Sequence, residues 1–500
     1  MALPKTSNQR PTTNNHSPAP LKILFVAAEC APFYKVGGLA DVIGSLPQAL
    51  RALGHDVRVI IPRYRPIDAG RYSVKRVHRF IDVPTGENAR TTEVVESNYT
   101  GVPTYFVWDE RFFGRDVVYG QPDELMAYVF FSRAVIELLR IIDWTPDVLH
   151  AHDWHIGPAL MYLATRGRRE ARLKSIASVL TIHNLYYQGL GGNALFHFAG
   201  FKQTPPRIIG EPPGSVNWLA RGIVYADAIN TVSPTYARQI LTREFGEGLH
   251  DLLHTRRDQL SGILNGLDRQ EWNPQTDPLL AERFAADSLK KRAVNKRAVQ
   301  AELKLKRKPH TLLVGMVSRL FEQKGLDILM QAAEQLLQRD VQLAILGHGD
   351  EQYHAALQAL AAQYPGRVAF DPAFNEPLAR KIYGGCDVFL MPSHFEPCGL
   401  GQLIAMRYGA VPVVRATGGL ADTVIDADRS AQRGTGFTFK AYTAKALLGT
   451  LDRALAAYAD PDRWQTLQRR GLAADFSWGA SAQQYVKLYH RAIELQQNSR

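Results

Sequence analysis

Short, unbroken apolar runs recur along the chain, each followed by a glycine-, proline- or polar-rich turn and then by an amphipathic stretch. LKILFVAAEC, HDVRVIIP, PDVLHAH, SIASVLTIH and ADAINTVS in the first half read as strands buried on both faces. TLLVGMVSRL, VQLAILGHG, RVAFD, DVFLMP and VPVVRA do the same in the second. Between them, residues 123–142 and EQKGLDILMQAAEQLLQ carry apolar residues at helical spacing. Strand–helix alternation of this kind predicts parallel sheets covered by helices. Shorter strands are expected at FIDVP, TEVVES and VPTYFVWD, and a mobile, irregular rim over residues 190–217, which are rich in Gly, Pro and Phe.

The pattern divides the chain into two doubly wound α/β halves with a cleft between them. Residues 1–20, polar and proline-rich without the apolar centre of a secretory signal, are expected to form a disordered tail. Residues 21–260 form one Rossmann-like domain, 261–308 a connector and 309–475 a second Rossmann-like domain. Residues 476–500 form a C-terminal helix expected to pack back on the first domain. A length of 500 residues suits such a division.

Charged residues make up 21% and apolar ones 46%, the balance of a soluble globular protein. No apolar run approaches the ~18 residues that span a bilayer. The net charge of +11 favours an anionic partner. Lys and Arg are scattered rather than clustered with aromatics, which weighs against nucleic acid. The densest basic run, Lys290 to Lys308, reads as a solvated helix face. Three cysteines without CxxC pairing predict neither a disulfide framework nor a metal centre, and a reducing compartment such as the cytoplasm. His150, His152 and His155 straddle a strand–helix junction, a poor spacing for a metal, and none is expected.

The most informative stretch is Asp387–Val424. It reads strand, loop (SHFEPCGLG), helix, strand, loop (TGG), helix. Both helices start beside the carboxyl ends of parallel strands, where open α/β sheets bind ligands and where unpaired backbone N–H groups suit a phosphate. KVGGL brings a lysine and two glycines to a strand end in the first half. A GxGxxG followed by an acid about twenty residues on is missing, which argues against a dinucleotide-dependent dehydrogenase.

The ordered set KVGGLADVIGSLP, AHDWH, TIHNLYYQG, TVSPTYA, GILNGLD with WNP, SRLFEQKGLD, FEPCGLGQL and TGGLADTV resembles bacterial glycogen synthases and plant starch synthases, over residues 21–495. These form glycosyltransferase family 5, with the GT-B fold. The resemblance implies retaining transfer of glucose from ADP-glucose (or UDP-glucose) to the 4-OH at the non-reducing end of an α-1,4-glucan such as glycogen or a maltooligosaccharide. It implies no cofactor, no nucleic acid and no membrane partner.

Carried residue by residue, it assigns Glu396, His183, Lys324 and Arg319 to catalysis. It assigns Lys35, Gly37, Gly38, Phe374, Cys398, Gly399, Leu400, Gly401, Thr417, Gly418 and Gly419 to the donor. Asp41, Asp153, Trp154, Asn184 and Tyr187 fall on the acceptor side, with an N-cap as the structural alternative for Asp153. Charge develops on the departing nucleoside diphosphate, so cations and aimed N–H groups matter more than a strong acid. A catalytically idle glucan-binding or priming homologue is the alternative; the presence of Lys35, His183, Arg319, Lys324 and Glu396 favours the enzyme. The sequence departs from relatives at Leu403, where many retaining transferases carry a second Glu, and at Gly401, where many carry a hydroxyl. A Thr at 401 is expected to add a hydrogen bond to a phosphate oxygen unless His394 already fills that space. Closure of the two domains on the substrates is also expected.

Overall fold

The first sheet is built around β1 (Lys22–Val26), whose residues after Lys22 are all buried, as a strand sandwiched between helices requires. The computed structural model describes residues 19–373 and 375–498. Most of the expected tail, and Phe374, therefore lie outside the described residues. In chain order β2 (Asp56–Pro62), β3 (Lys75–Thr85), β4 (Asn88–Ser97), β5 (Thr104–Trp108), β6 (Val148–His152) and β7 (Ala177–Ile182) follow. A two-stranded ribbon of β8 (Leu190–Gly192) and β9 (Ser215–Asn217) precedes β10 (Ala228–Thr231) and β11 (Leu260–Gly262). The sheet order is β11-β10-β7-β6-β1-β2-β5-β4-β3. All its pairings are parallel except those of β4, which pairs antiparallel with both β3 and β5. The short strands expected after β2 thus form an antiparallel edge on a parallel sheet.

The second sheet is parallel throughout. β12 (Leu312–Val317), β13 (Val341–Leu346), β14 (Val368–Asp371), β15 (Val388–Met391), β16 (Val411–Arg415) and β17 (Phe437–Phe439) lie in the order β14-β13-β12-β15-β16-β17. Among the parallel strands of each sheet the order reverses at one place, between β1 and β6 in the first and between β12 and β15 in the second. Loops leaving such neighbouring strands in opposite directions open a crevice at their carboxyl ends. Those loops carry Lys35 and Asp153 on one side and Lys324 and Glu396 on the other.

The C-terminal helix Trp478–Asn498 lies against the first sheet. Trp478, Tyr485 and Tyr489 are buried in its core, and Tyr489 Oη is 2.9 Å from His150 Nδ1. The chain thus crosses between the halves twice, and the crossings run side by side: Leu267 N–H donates to Phe476 O (2.7 Å) and Ser481 Oγ to Leu264 O (2.7 Å).

Two expectations change. The basic run is not wholly a solvated face. Helix Arg292–Glu302 packs into the second half, where Lys296 is buried 2.6 Å from Asp387 and also donates to Thr311 O and Tyr458 Oη. Arg292 is buried as well and donates to Cys386 O and Tyr408 O, whereas Lys290 and Arg297 face solvent. Charge patterning could not separate the faces, because the partners come from strands far along the chain. The rim 190–217 is not wholly irregular: it holds β8, β9 and helix Ala194–Phe198, and Glu211, fully enclosed, accepts from Arg221 (2.6 Å) and from Asn217 N–H (3.2 Å).

Breaking a buried pair leaves an uncompensated charge, so Lys296→Ala should destabilise the second half by about 3–5 kcal/mol. Arg297→Ala, one residue on but exposed, should change stability by no more than about 0.5 kcal/mol. Urea unfolding followed by circular dichroism compares them.

Candidate active site

The floor of the crevice in the second half is a buried ion pair. Lys324 Nζ lies 2.6 Å from Glu396 Oε2, and Ser393 Oγ donates to the same oxygen at 3.1 Å. The loops that carry them, after β12 and after β15, are laced together. His394 N–H donates to Gln323 O (2.8 Å), and Gln323 Nε2 to Phe395 O (3.2 Å). Gly325, at φ +74°, makes this possible: a Cβ there would stand 2.1 Å from Pro392 O. The LGHGD segment serves the same packing. Its Gly347 lets the backbone of Ser318 approach, and Leu320 N–H bonds to His348 O (2.9 Å). With Leu320 pinned inward, Arg319 is left exposed with its guanidinium over the Phe321 ring.

The facing wall belongs to the first half. Lys35 pairs with Asp41 at 2.6 Å, and Gly38 lies in the cleft next to Leu400 of the second half. The amides of Val36 and Gly37 are not free for a ligand: both donate to Glu29 Oε2, at 2.6 and 3.1 Å. Glu29 is buried, which pushes its carboxyl up to about 6. Burial raises the carboxyl of Asp41 as well, against the pull of Lys35, and Glu376 from the second half pushes in the same direction as burial.

β6 and β7 deliver the histidine cluster. His183 is half-buried, and burial lowers its imidazole to about 3, so it is neutral at pH 7. Asp153, at φ +58°, does not cap the helix that follows; its Oδ1 accepts the His183 backbone N–H at 2.7 Å. Burial pushes the Asp153 carboxyl up to about 7. Trp154 is buried on His155 and packs so close to Gly189 that a Cβ there would stand 2.3 Å from the indole. Asn184 turns its side chain to Tyr186 N–H (3.1 Å), and Tyr187 stays exposed.

The two glycine turns differ in kind. At TGG the groups are already engaged: Gly418 N–H donates to Gln239 Oε1 (2.9 Å), and Gly419 N–H to Glu396 O (3.1 Å). Gln239 Nε2 also reaches the buried Thr417 hydroxyl (3.1 Å). This turn clasps the halves rather than offering an open anion cradle. The turn around Gly399, with φ +73°, remains open: Ile404 is the first amide to bond back along its helix, to Leu400 O (3.0 Å). Cys398, fully enclosed, supplies packing here, and burial pushes its thiol up to about 12. The geometry runs against the expectation for Gly401. A Cβ at 401 would point at the Phe389 ring, 2.9 Å away, with Met391 Sδ at 3.3 Å. A Thr side chain therefore leaves Cα toward the core and not toward a phosphate. Among the described residues no group of His, Cys, Asp and Glu is arranged to hold a metal.

Residues 22–255 match the model of the starch synthase catalytic domain, and residues 300–470 that of the glycosyl transferases group 1. A glycogen synthase of Syntrophotalea carbinolica is 45% identical over 95% of this chain and 99% of its own. One of Moorella thermoacetica is 44% identical over 95% and 97%. This chain belongs to the glycogen and starch synthase family of glycosyltransferases. Among solved structures, the catalytic domain of starch synthase IV from Arabidopsis thaliana, bound to ADP and acarbose, superposes with a TM-score of 0.89 at 33% identity, covering 95% of this chain and all of that one. Sucrose-phosphate synthase of Thermosynechococcus elongatus shares the fold alone, with a TM-score of 0.59 at 20% identity. The synthase is thus a GT-B enzyme, a hexosyl-transferring protein with one Rossmann-like half on each side of its cleft.

Sequence reasoning missed several residues that shape the synthase's cleft. Glu29 was signalled only as an acid ending an apolar strand. Gln239 and Asp422 gave no signal, because they act across the cleft: Asp422 accepts from Ser233 Oγ (2.6 Å) and from Thr235 N–H (2.9 Å).

Two predictions follow from these contacts. Gly401→Thr should lower thermal stability and leave ADP affinity unchanged or weaker, because Phe389 must move; tighter ADP binding by calorimetry would contradict the inward orientation. Asp153 is the pH-sensitive position. Its raised folded-state value means the folded protein holds the proton more tightly than the unfolded chain, so its effect on stability is nil near pH 4, worsens as pH rises to about 7 and is constant above. Asp153→Asn should therefore raise the melting temperature at about pH 8 and leave it nearly unchanged at about pH 4.

Proposed function

We propose that the synthase transfers glucose from ADP-glucose, with retention, to the 4-OH at the non-reducing end of an α-1,4-glucan and releases ADP. The observation that carries this is the Lys324–Glu396 pair at the crevice floor, 2.6 Å apart and nearly enclosed, at the point where strand order reverses. The ADP and acarbose bound by the Arabidopsis starch synthase support the choice of nucleotide and of a glucan-like acceptor.

In this reading the diphosphate lies against Arg319, Lys324 and the open amides that begin helix Gly401–Arg407, with Lys35 closing from the opposite wall. These cations meet the charge of the leaving group, so the reaction is proposed to need no metal. Glu396 faces the glucose, where its charge stabilises an oxocarbenium-like centre. Gly399, Leu400 and Gly38 leave room for the sugar. His183 meets a sugar hydroxyl. Asp41, Asp153, Trp154, Asn184 and Tyr187 line or shape the acceptor side. Three buried, unpaired cysteines suit a reducing cytoplasm.

The test is release of nucleoside diphosphate by the purified protein with glycogen and each nucleotide-glucose in turn. ADP-glucose should be the better donor, and Glu396→Gln, which keeps shape and loses charge, should retain ADP binding while losing about 100-fold or more in rate. A preference for UDP-glucose would overturn the donor assignment, and a Gln variant within twofold of wild type would make the carboxylate structural.

A further inference from the structure

His183 does not stand alone. Its Nε2 lies 2.9 Å from Nδ1 of His152, which is fully buried one strand away at the end of β6. The His152 ring stacks on Phe25 (centroids 5.4 Å apart, planes 17° apart) and leans on His150 (4.1 Å). His150 is fixed in turn by Thr181 Oγ1 (2.7 Å) and by Tyr489 Oη (2.9 Å) of the C-terminal helix. The remaining nitrogen of His152, Nε2, is buried with no hydrogen-bond partner.

That orphan nitrogen decides the direction of the His152–His183 hydrogen bond. Burial keeps both rings neutral, so each carries a single N–H. If His183 donated from Nε2, Nδ1 of His152 would accept, and the only proton of His152 would sit on Nε2, a buried N–H with nothing to receive it. If His152 donates from Nδ1, its Nε2 holds only a lone pair, and the only proton of His183 sits on Nδ1. Orphaned buried N–H groups are rarer than under-used acceptors, so the second arrangement prevails. The ring nitrogen that takes the proton is set by the bond the other makes.

We infer that His152 is a positioning residue that fixes the tautomer of His183, so that the Nδ1–H of His183 is the donor presented to the sugar. This rests on the proposed contact of His183 with the sugar. A fixed donor holds one hydroxyl oxygen in one orientation; a ring free to exchange tautomers would offer an acceptor part of the time. The aromatic stack through Phe25 and His150 holds the His152 ring in register, which ties the sugar contact to the C-terminal helix.

The experiment uses the full chain labelled with 15N-histidine, with the His183 signals assigned by their loss in His183→Asn. The two ring nitrogens then report which one is protonated. His183 should carry its proton on Nδ1 in the unmutated protein and in His152→Asn, whose side-chain amide can place an N–H where Nδ1–H was. In His152→Phe, which keeps a ring in the stack but offers no donor, both tautomers should appear. The rate should follow: His152→Asn stays within about threefold in kcat, and His152→Phe loses about tenfold or more with little change in acceptor KM. A proton on Nε2 of His183 in the unmutated protein overturns the inference, as does a pure Nδ1–H form in His152→Phe. Should the Phe variant fail to fold, the unmutated protein and His152→Asn still decide the direction of the bond. Full activity in His183→Ala, which offers no donor, would remove the sugar contact itself, and the tautomer measurement would be untouched by it.

Discussion

The cleft is organised by one enclosed carboxylate, that of Glu396, held against the Lys324 ammonium. Taking both charges out of water costs several kcal/mol per ion, and a pair of this kind is a poor source of stability. Its surroundings show how strictly it is placed. Gly325 must adopt a left-handed backbone to bring Lys324 under the loop after β15, and Gly418 brings the next turn against the backbone of Glu396 itself, where a Cβ would stand 1.9 Å from the carbonyl oxygen. Three loops from three strands thus converge on one residue. Charges fixed in this way need no reorganisation when charge develops in a transfer, the property that electrostatic catalysis uses.

The second requirement is that the opposite wall be held in reach. Asp422 accepts from Ser233 and Thr235, and Gln239 spans to Thr417 and Gly418, so the helix starting at Pro234 and the one starting at Gly418 run antiparallel and are joined at both ends across the cleft. Behind them, the paired crossings at 264–267 and 476–481 and the C-terminal helix bind the second half to the first. Polar contacts thus join the halves in front of the cleft, and a double crossing of the chain joins them behind it.

Much of this was legible in the sequence for a physical reason. Strands buried on both faces must be continuous apolar runs, and the turns at their carboxyl ends must carry glycine where backbones touch, so β1, β12, β15 and β16 and the loops after them could be located directly. The family resemblance then named Lys324, Glu396 and His183. What could not be read was anything set by contact between distant segments. Lys296 looked like its exposed neighbour Arg297 because Asp387 lies far along the chain. Gly401 looked like a missing hydroxyl because the Phe389 ring behind it is invisible to a local pattern. The TGG turn looked like an anion site because Gln239, which fills it, comes from the other half. Glu29, which occupies the amides of the KVGG turn, was hidden for the same reason.

The central claim is that the Lys324–Glu396 pair is there for transfer rather than for the fold. The most direct measurement is kcat for glucosyl transfer from ADP-glucose to glycogen by Lys324→Ala, with thermal unfolding of the same sample as the control. The account predicts a fall of about 100-fold or more in a protein that still folds cooperatively. A rate within twofold of the unmutated synthase would contradict it.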